Sequence, residues 1–148
     1  MRRTPAAFSP RGGAVAQRPE VTAKRAFLEG RRRLQAGQPV QAIGLFEQAL
    51  ALEPSSVEWE LYLGWAKLCA ATERGVATKL TRDLKILAYN ALKQERRMAF
   101  AHYVRGQLAM RNGDYEKAAK SFGNASKLDP ADLDAKRHLL VCQRRIDR

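Results

Sequence analysis

Chemistry in this chain would have to come from very few side chains. Histidine occurs twice, at His102 and His138, and cysteine twice, at Cys69 and Cys142. Neither histidine has a cysteine or carboxylate at a spacing that repeats or clusters as metal ligands do. Phosphate-cradling glycine loops, HExxH, CxxC and nucleophile-elbow patterns are all absent from the sequence. These residues predict no enzyme, no metal site and no cofactor. The two cysteines form no paired framework and read as thiols of a reducing compartment, which points to the cytoplasm.

Positive charge is what the sequence holds in quantity. Twenty-seven Lys and Arg stand against fifteen Asp and Glu, for a formal charge of +12. Such a balance attracts acidic partners of any kind. The runs Arg31-Arg32-Arg33, Lys79-Arg82-Lys85 and Arg96-Arg97 could meet phosphates on a convex or edge surface, so a nucleic-acid-binding module is the alternative function. Against it, no recognised base-reading motif is present, and charged runs on helices are usually solvated faces.

The elements that must carry these side chains are helical. A length of 148 residues with 45% hydrophobic content suits one domain with a core. Apolar runs fall short of the ~18 residues a membrane span needs. Residues 1–20 are rich in Arg, Ala, Pro and Gly, with Arg2, Arg3, Arg11 and Arg18 opposed only by Glu20. They read as a disordered basic tail, with Phe8 able to anchor it if it folds back. They lack the apolar stretch of a secretory signal. Pro5, Pro10 and Gly12-Gly13 would break the amphipathic helix of a transit peptide.

From residue 21 the chain repeats. Gly30, Gly37, Ala42, Phe46, Ala49, Leu52 and Pro54 recur as Gly106, Gly113, Ala118, Phe122, Ala125, Leu128 and Pro130, each 76 residues later. Between them Leu63-Gly64 and Ala91-Leu92 mark a third unit. Gly64 lies 34 residues after Gly30 and 42 before Gly106, so this middle unit carries eight extra residues. Apolar stripes such as Val40, Ile43, Phe46, Ala49 and Leu50 have helical spacing. Gly37 and Gly113 suit helix C-termini, and Pro54 and Pro130 fall where a helix has stopped. Ser55 and Glu58 have the spacing of a capping box. Strand alternation never persists.

Small residues at these places in a 34-residue unit, with a recurring Phe and Pro, resemble the tetratricopeptide repeat. The resemblance implies an all-α, right-handed solenoid of antiparallel helix pairs with about seven helices. Its repeats would span 23–56, 57–98 and 99–132, and a capping helix 131–148 would turn Leu139, Leu140 and Cys142 or Ile146 inward. The Leu63-Gly64-Trp65-Ala66 segment is similar to repeats fused to bacterial signalling and co-chaperone proteins. His102 falls at a helix-packing position, and Cys142 at a buried one.

The resemblance further implies a protein–protein scaffold or adaptor, holding a peptide or helix in a concave groove lined by the first helix of each repeat. Carried over position by position, the groove residues are Phe27, Arg31, Tyr62, Trp65, Phe100, Tyr103, Gln107 and Arg111. Family members that grip acidic chaperone tails use Lys, Asn, Asn, Lys and Arg at places occupied here by Phe27, Arg31, Tyr62, Phe100 and Val104. Of these only Arg31 could hold a carboxylate. The expected partner is therefore an apolar or aromatic segment with acidic neighbours beside Arg31 and Arg111. On this view, alanines at Tyr62 and Trp65 abolish partner capture without unfolding the chain. Arg33 and Lys67 stand where the family is large and apolar, and Glu29 and Arg105 are charged at another inward position, so these must snorkel or pair. The eight extra residues fall near Thr72 to Leu80, in a longer turn or in both helices.

Overall fold

The computed structural model describes residues 18–148. The tail anchor Phe8, with Arg2, Arg3 and Arg11, lies outside the described residues. Seven helices follow: α1 Pro19–Gln35, α2 Pro39–Leu52, α3 Val57–Ala70, α4 Arg74–Gln94, α5 Ala99–Arg111, α6 Tyr115–Leu128 and α7 Leu133–Ile146. There is no strand among the described residues. Helix α1 already contains Pro19 and Glu20, the last two residues of the stretch expected as tail.

Local chemistry sets the boundaries. Pro19 and Pro39 open α1 and α2, where a missing N–H costs nothing. Gly37 and Gly113 have φ of 76° and 79°, the left-handed conformation that closes a helix. Around Gly37 the Gln38 N–H donates to the Arg33 carbonyl (2.9 Å) and the Gly37 N–H to Leu34 (3.1 Å). The same pair of bonds recurs from Asp114 to Ala109 and from Gly113 to Met110, each a Schellman motif. Asp114 and Asp132 cap α6 and α7 by accepting backbone N–H bonds. The cap of α3 is Ser56, whose hydroxyl accepts from the Trp59 N–H, and not the expected Ser55 with Glu58. The chain turns one residue later than the spacing suggested, and the third helical position holds no carboxylate to answer the cap.

Helices pair as α1–α2, α3–α4 and α5–α6, with α7 packed on α6, while first helices touch along one side as α1–α3 and α3–α5. Close approach within a pair depends on glycine. A Cβ at Gly30 would lie 2.6 Å from the Phe46 ring, and one at Gly106 would lie 2.8 Å from Phe122. The middle pair solves the problem differently: the notch at Gly64 is filled by Leu84, 2.9 Å from a Cβ there, one turn before the Ala88 that aligns with the phenylalanines. The core is accordingly a row of three clusters, centred on Phe46, on Leu61 with Leu84, and on Phe122 with Cys142. The first two clusters join neighbouring repeats and the third joins the last repeat to α7, as a capped stacked array requires.

Three expectations change. The extra residues lengthen no turn and are not shared evenly between the two helices. Seven of the eight extend α4, which has 21 residues against 14 in α2 and α6, and its leading turn at 71–73 is as short as that at 36–38. Val40 is 69% exposed, because Ala42, Phe46 and Ala49 already make the inner stripe of α2. In α7, Ala135 and Cys142 are buried and Leu139 packs beside them, but Leu140 and Ile146 are exposed. The inward direction is set by the Ala135–Cys142 row, and Leu140 falls well to one side of it. Glu29 pairs with Arg33 at 3.0 Å and with Arg32 at 3.2 Å, which accommodates the charges at unexpected positions of α1.

Candidate functional site

The first helices α1, α3 and α5 stand side by side, and residues three and four apart on each face the same way. Their aromatic side chains meet as a continuous ribbon. Trp59 stacks on Phe27 (centroids 4.9 Å, 14° between planes), and Phe27 meets Tyr62 edge-on at 5.0 Å. Tyr62 and Phe100 lie face to face at 3.6 Å and 7°. Phe100 continues to Tyr103 at 5.6 Å, and Tyr103 meets Trp65 at 6.2 Å. All five aromatics expected in a groove are therefore brought together, and each touches another of them. Trp59, which sequence reasoning passed over because it sits outside the family's groove positions, starts the ribbon.

The ribbon has depth. Phe27 (5%) and Trp65 (7%) belong to the core clusters beneath it, whereas Tyr62, Phe100 and Tyr103 are half-buried. Alanine at Trp65 would empty a core site at a cost of about 3–5 kcal/mol, so the expectation that this substitution spares the fold is corrected.

Guanidinium groups close two of its margins. Arg31, half-buried, lies 5.9 Å from the Phe27 ring and 5.9 Å from the Tyr62 ring; Arg111, exposed, lies 5.4 Å from Trp65. A cation over a ring face is attracted by the ring quadrupole, by about 0.5–1 kcal/mol at an exposed site. Neither arginine is in an ion pair among the described residues, so both keep donors for a carboxylate. The Tyr62 hydroxyl is held well above the usual phenol range, mostly by burial; Arg31 opposes the shift, and Glu58, Asp132 and Asp129 add to it. The ribbon thus has a cationic side at Arg31 and Arg111 and acidic groups around Tyr62.

At the α7 end the polar atoms are already committed. The Tyr103 hydroxyl donates to the Asp134 carboxylate and accepts from Gln107 Nε2 at 2.9 Å. Burial, reinforced by that carboxylate, holds the Tyr103 phenol well above its ordinary range. Gln107 Nε2 also meets His138 Nε2 at 3.3 Å, and His138 Nδ1 lies 2.8 Å from the Asp134 carbonyl. A carbonyl only accepts, so Nδ1 carries the proton and Nε2 accepts from Gln107. Four residues from two helices close a ring of hydrogen bonds around the buried Gln107. Asp134 and His138 were missed in the sequence because they stand 31 residues from their partners. His102 bonds the Arg96 carbonyl at 3.0 Å, a staple across the α4–α5 turn. Cys142 is buried against Met110 (3.7 Å), and Cys69 is exposed. No group of three or more His, Cys, Asp and Glu is gathered as a metal would need among the described residues, and no described helix is long and apolar enough to cross a membrane.

Family models described as tetratricopeptide repeat match residues 27–68 and 99–132. Among solved structures, the chain is similar to the OM64 TPR domain of Arabidopsis (16% identity, TM-score 0.56, covering 86% of this chain and 99% of that one). It is similar also to the first TPR of Spaghetti (RPAP3), bound to the HSP90 peptide SRMEEVD (16%, 0.56, 87% and 96%). A third is PcrH from Pseudomonas aeruginosa (15%, 0.54, 87% and 97%). No curated protein sequence matches it. The two glycine–phenylalanine notches, the two Schellman turns and the matched repeats agree: this chain belongs to the tetratricopeptide repeat family, whose repeats are protein–protein interaction modules and typically not catalysts.

Proposed function

We propose that the chain is an adaptor that lays a segment of a partner protein, peptide or helix, along the ribbon of α1, α3 and α5. Arg31, Tyr62, Phe100, Tyr103 and Arg111 meet the ligand, and Phe27, Trp65 and Gln107 support them from below. The observation that carries this reading is the two guanidinium groups lying over rings of the ribbon, neither of them in an ion pair among the described residues. Stacking holds each fork in place before a ligand arrives, so less side-chain entropy is lost on binding.

The ligand's chemistry follows from the surroundings. Aromatic or aliphatic side chains suit the rings, and Asp or Glu suits Arg31 and Arg111. The charges of Glu58, Asp129 and Asp132, which reach Tyr62, disfavour a second acidic cluster there. A solenoid of the same fold holds the peptide SRMEEVD. Here Phe27, Tyr62, Phe100 and Val104 occupy the places of the carboxylate clamp, so a less acidic and more apolar segment is favoured.

The test selects random displayed peptides on the wild-type chain and measures each on the Arg31→Glu/Arg111→Glu variant. Both side chains reach solvent, so the variant keeps its fold. Selected peptides should pair an aromatic or aliphatic residue with Asp or Glu. They should bind the variant roughly tenfold or more weakly, the loss of about one charge-assisted hydrogen bond. Peptides that bind both forms equally would refute the site.

A further inference from the structure

The long helix α4 gathers charge that the ribbon does not use. Between Arg74 and Arg97 stand seven Lys and Arg, opposed only by Asp83 and Glu95. At 100° per residue, Lys79, Arg82, Ile86, Tyr89 and Lys93 fall on one stripe, centred opposite the stripe of Leu84, Ala88 and Ala91 that packs inward. Burial agrees: all five outward residues are exposed, Ile86 by 56% and Tyr89 by 57%. Arg96 and Arg97, also exposed, extend the stripe past the helix end. None of the seven cations is in an ion pair among the described residues, and Lys93 lies 5.4 Å from the Tyr89 ring. The helix is about 32 Å long, two turns more than its counterparts.

We propose that this outer stripe of α4 binds single-stranded nucleic acid. Lys79 and Arg82 at one end, and Lys93 with Arg96 and Arg97 at the other, take phosphates. Tyr89 and Ile86 between them offer an aromatic and an apolar surface on which unpaired bases stack. Cations that track a backbone, with an aromatic platform among them, are the pattern of sequence-tolerant single-strand binding. A lipid surface fits less well. An interfacial helix needs a wide apolar face to insert, and that face of α4 is spent on the core; Ile86 and Tyr89 on the outer stripe and Val76 to one side, near the helix start, do not make a second one. A duplex would leave Tyr89 without an unpaired base to stack on.

The experiment titrates a fluorescein-labelled thymidine oligonucleotide of about 15 residues with the full chain, from about 50 to about 200 mM salt. Five engaged cations give a log–log salt slope of about −3.5, at about −0.7 per phosphate on a single strand. Lys79→Gln/Arg82→Gln/Lys93→Gln should reduce the slope to about −1.4. Tyr89→Ala should weaken binding roughly tenfold at an unchanged slope. Vesicles of phosphatidylcholine with phosphatidylserine and an unlabelled heparin competitor run alongside. A wild-type slope in the triple variant overturns the site. Unchanged affinity in Tyr89→Ala, or Tyr89-dependent binding to vesicles stronger than to the oligonucleotide, overturns the nucleic-acid assignment. The substituted residues all point to solvent, so matching melting curves confirm that each variant is folded. The concave ribbon is untouched by these substitutions, and the outcome is independent of the peptide selection.

Discussion

Replacing Tyr103 by Phe removes one oxygen and tests the hydrogen-bond ring that fixes the α7 end of the ribbon. Two bonds are lost, one given to the Asp134 carboxylate and one received from Gln107. They do not cost the same. The Asp134 side chain is 45% exposed, so water takes the place of the phenol and most of that charge-assisted bond is recovered. Gln107 is 7% exposed, and one of its amide hydrogens is left without its partner at a cost of about 1–3 kcal/mol. The net destabilisation should be about 1.5 kcal/mol, or about 3–6 °C in Tm for a chain of this size. Thermal unfolding by circular dichroism reads the single variant. A cycle with Gln107→Leu reads the coupling: once the amide is gone, Tyr103→Phe should cost little more, giving an interaction energy of at least about 0.5 kcal/mol. A Tyr103→Phe melting point unchanged within about 1 °C, with no coupling to Gln107, would refute the ring as a structural element.

Gly106→Ala forces a methyl group to within 2.8 Å of the Phe122 ring and should cost about 1–3 kcal/mol by chemical denaturation, with partial recovery in a Phe122→Leu background. The exposed thiol of Cys69 is raised by partial burial and pulled back by the Arg111 guanidinium. Arg111→Ala should therefore raise it further, lower the thiolate fraction near neutral pH and slow modification by a thiol reagent. Faster modification in that variant would contradict the assignment. Cys142 is buried and should react only on unfolding.

The parts of the fold that were legible in the sequence are those that a single residue type enforces. Gly30 and Gly106 are required by the rings of Phe46 and Phe122, and Gly37 and Gly113 by a positive φ, so their recurrence exposed the repeat before any helix was drawn. Where several residue types serve equally, letters said less. Leu84 fills its notch from one turn away, which alignment to Phe46 through Ala88 cannot reveal. The extra residues could enter a turn or a helix at similar cost, and only the packing of Ala77 and Leu80 on the core shows that α4 took them. The aromatic convergence was legible as a face, but not as a depth. Positions that line a groove in one array become core in another when neighbouring rings are large, as at Trp65. Long-range polar partners such as Tyr103 with Asp134 leave no periodic trace at all.

The stacked rings of Tyr62 and Phe100 bridge the second and third repeats beside the one helix pair that lacks an aromatic in its notch. In a one-dimensional array, a unit with weak internal packing survives on coupling to its neighbours. The middle repeat should therefore not exist as a folded intermediate of its own. The chain should melt as one cooperative length, and a cut between α4 and α5 should leave two fragments that each have to borrow the other's ring to fold.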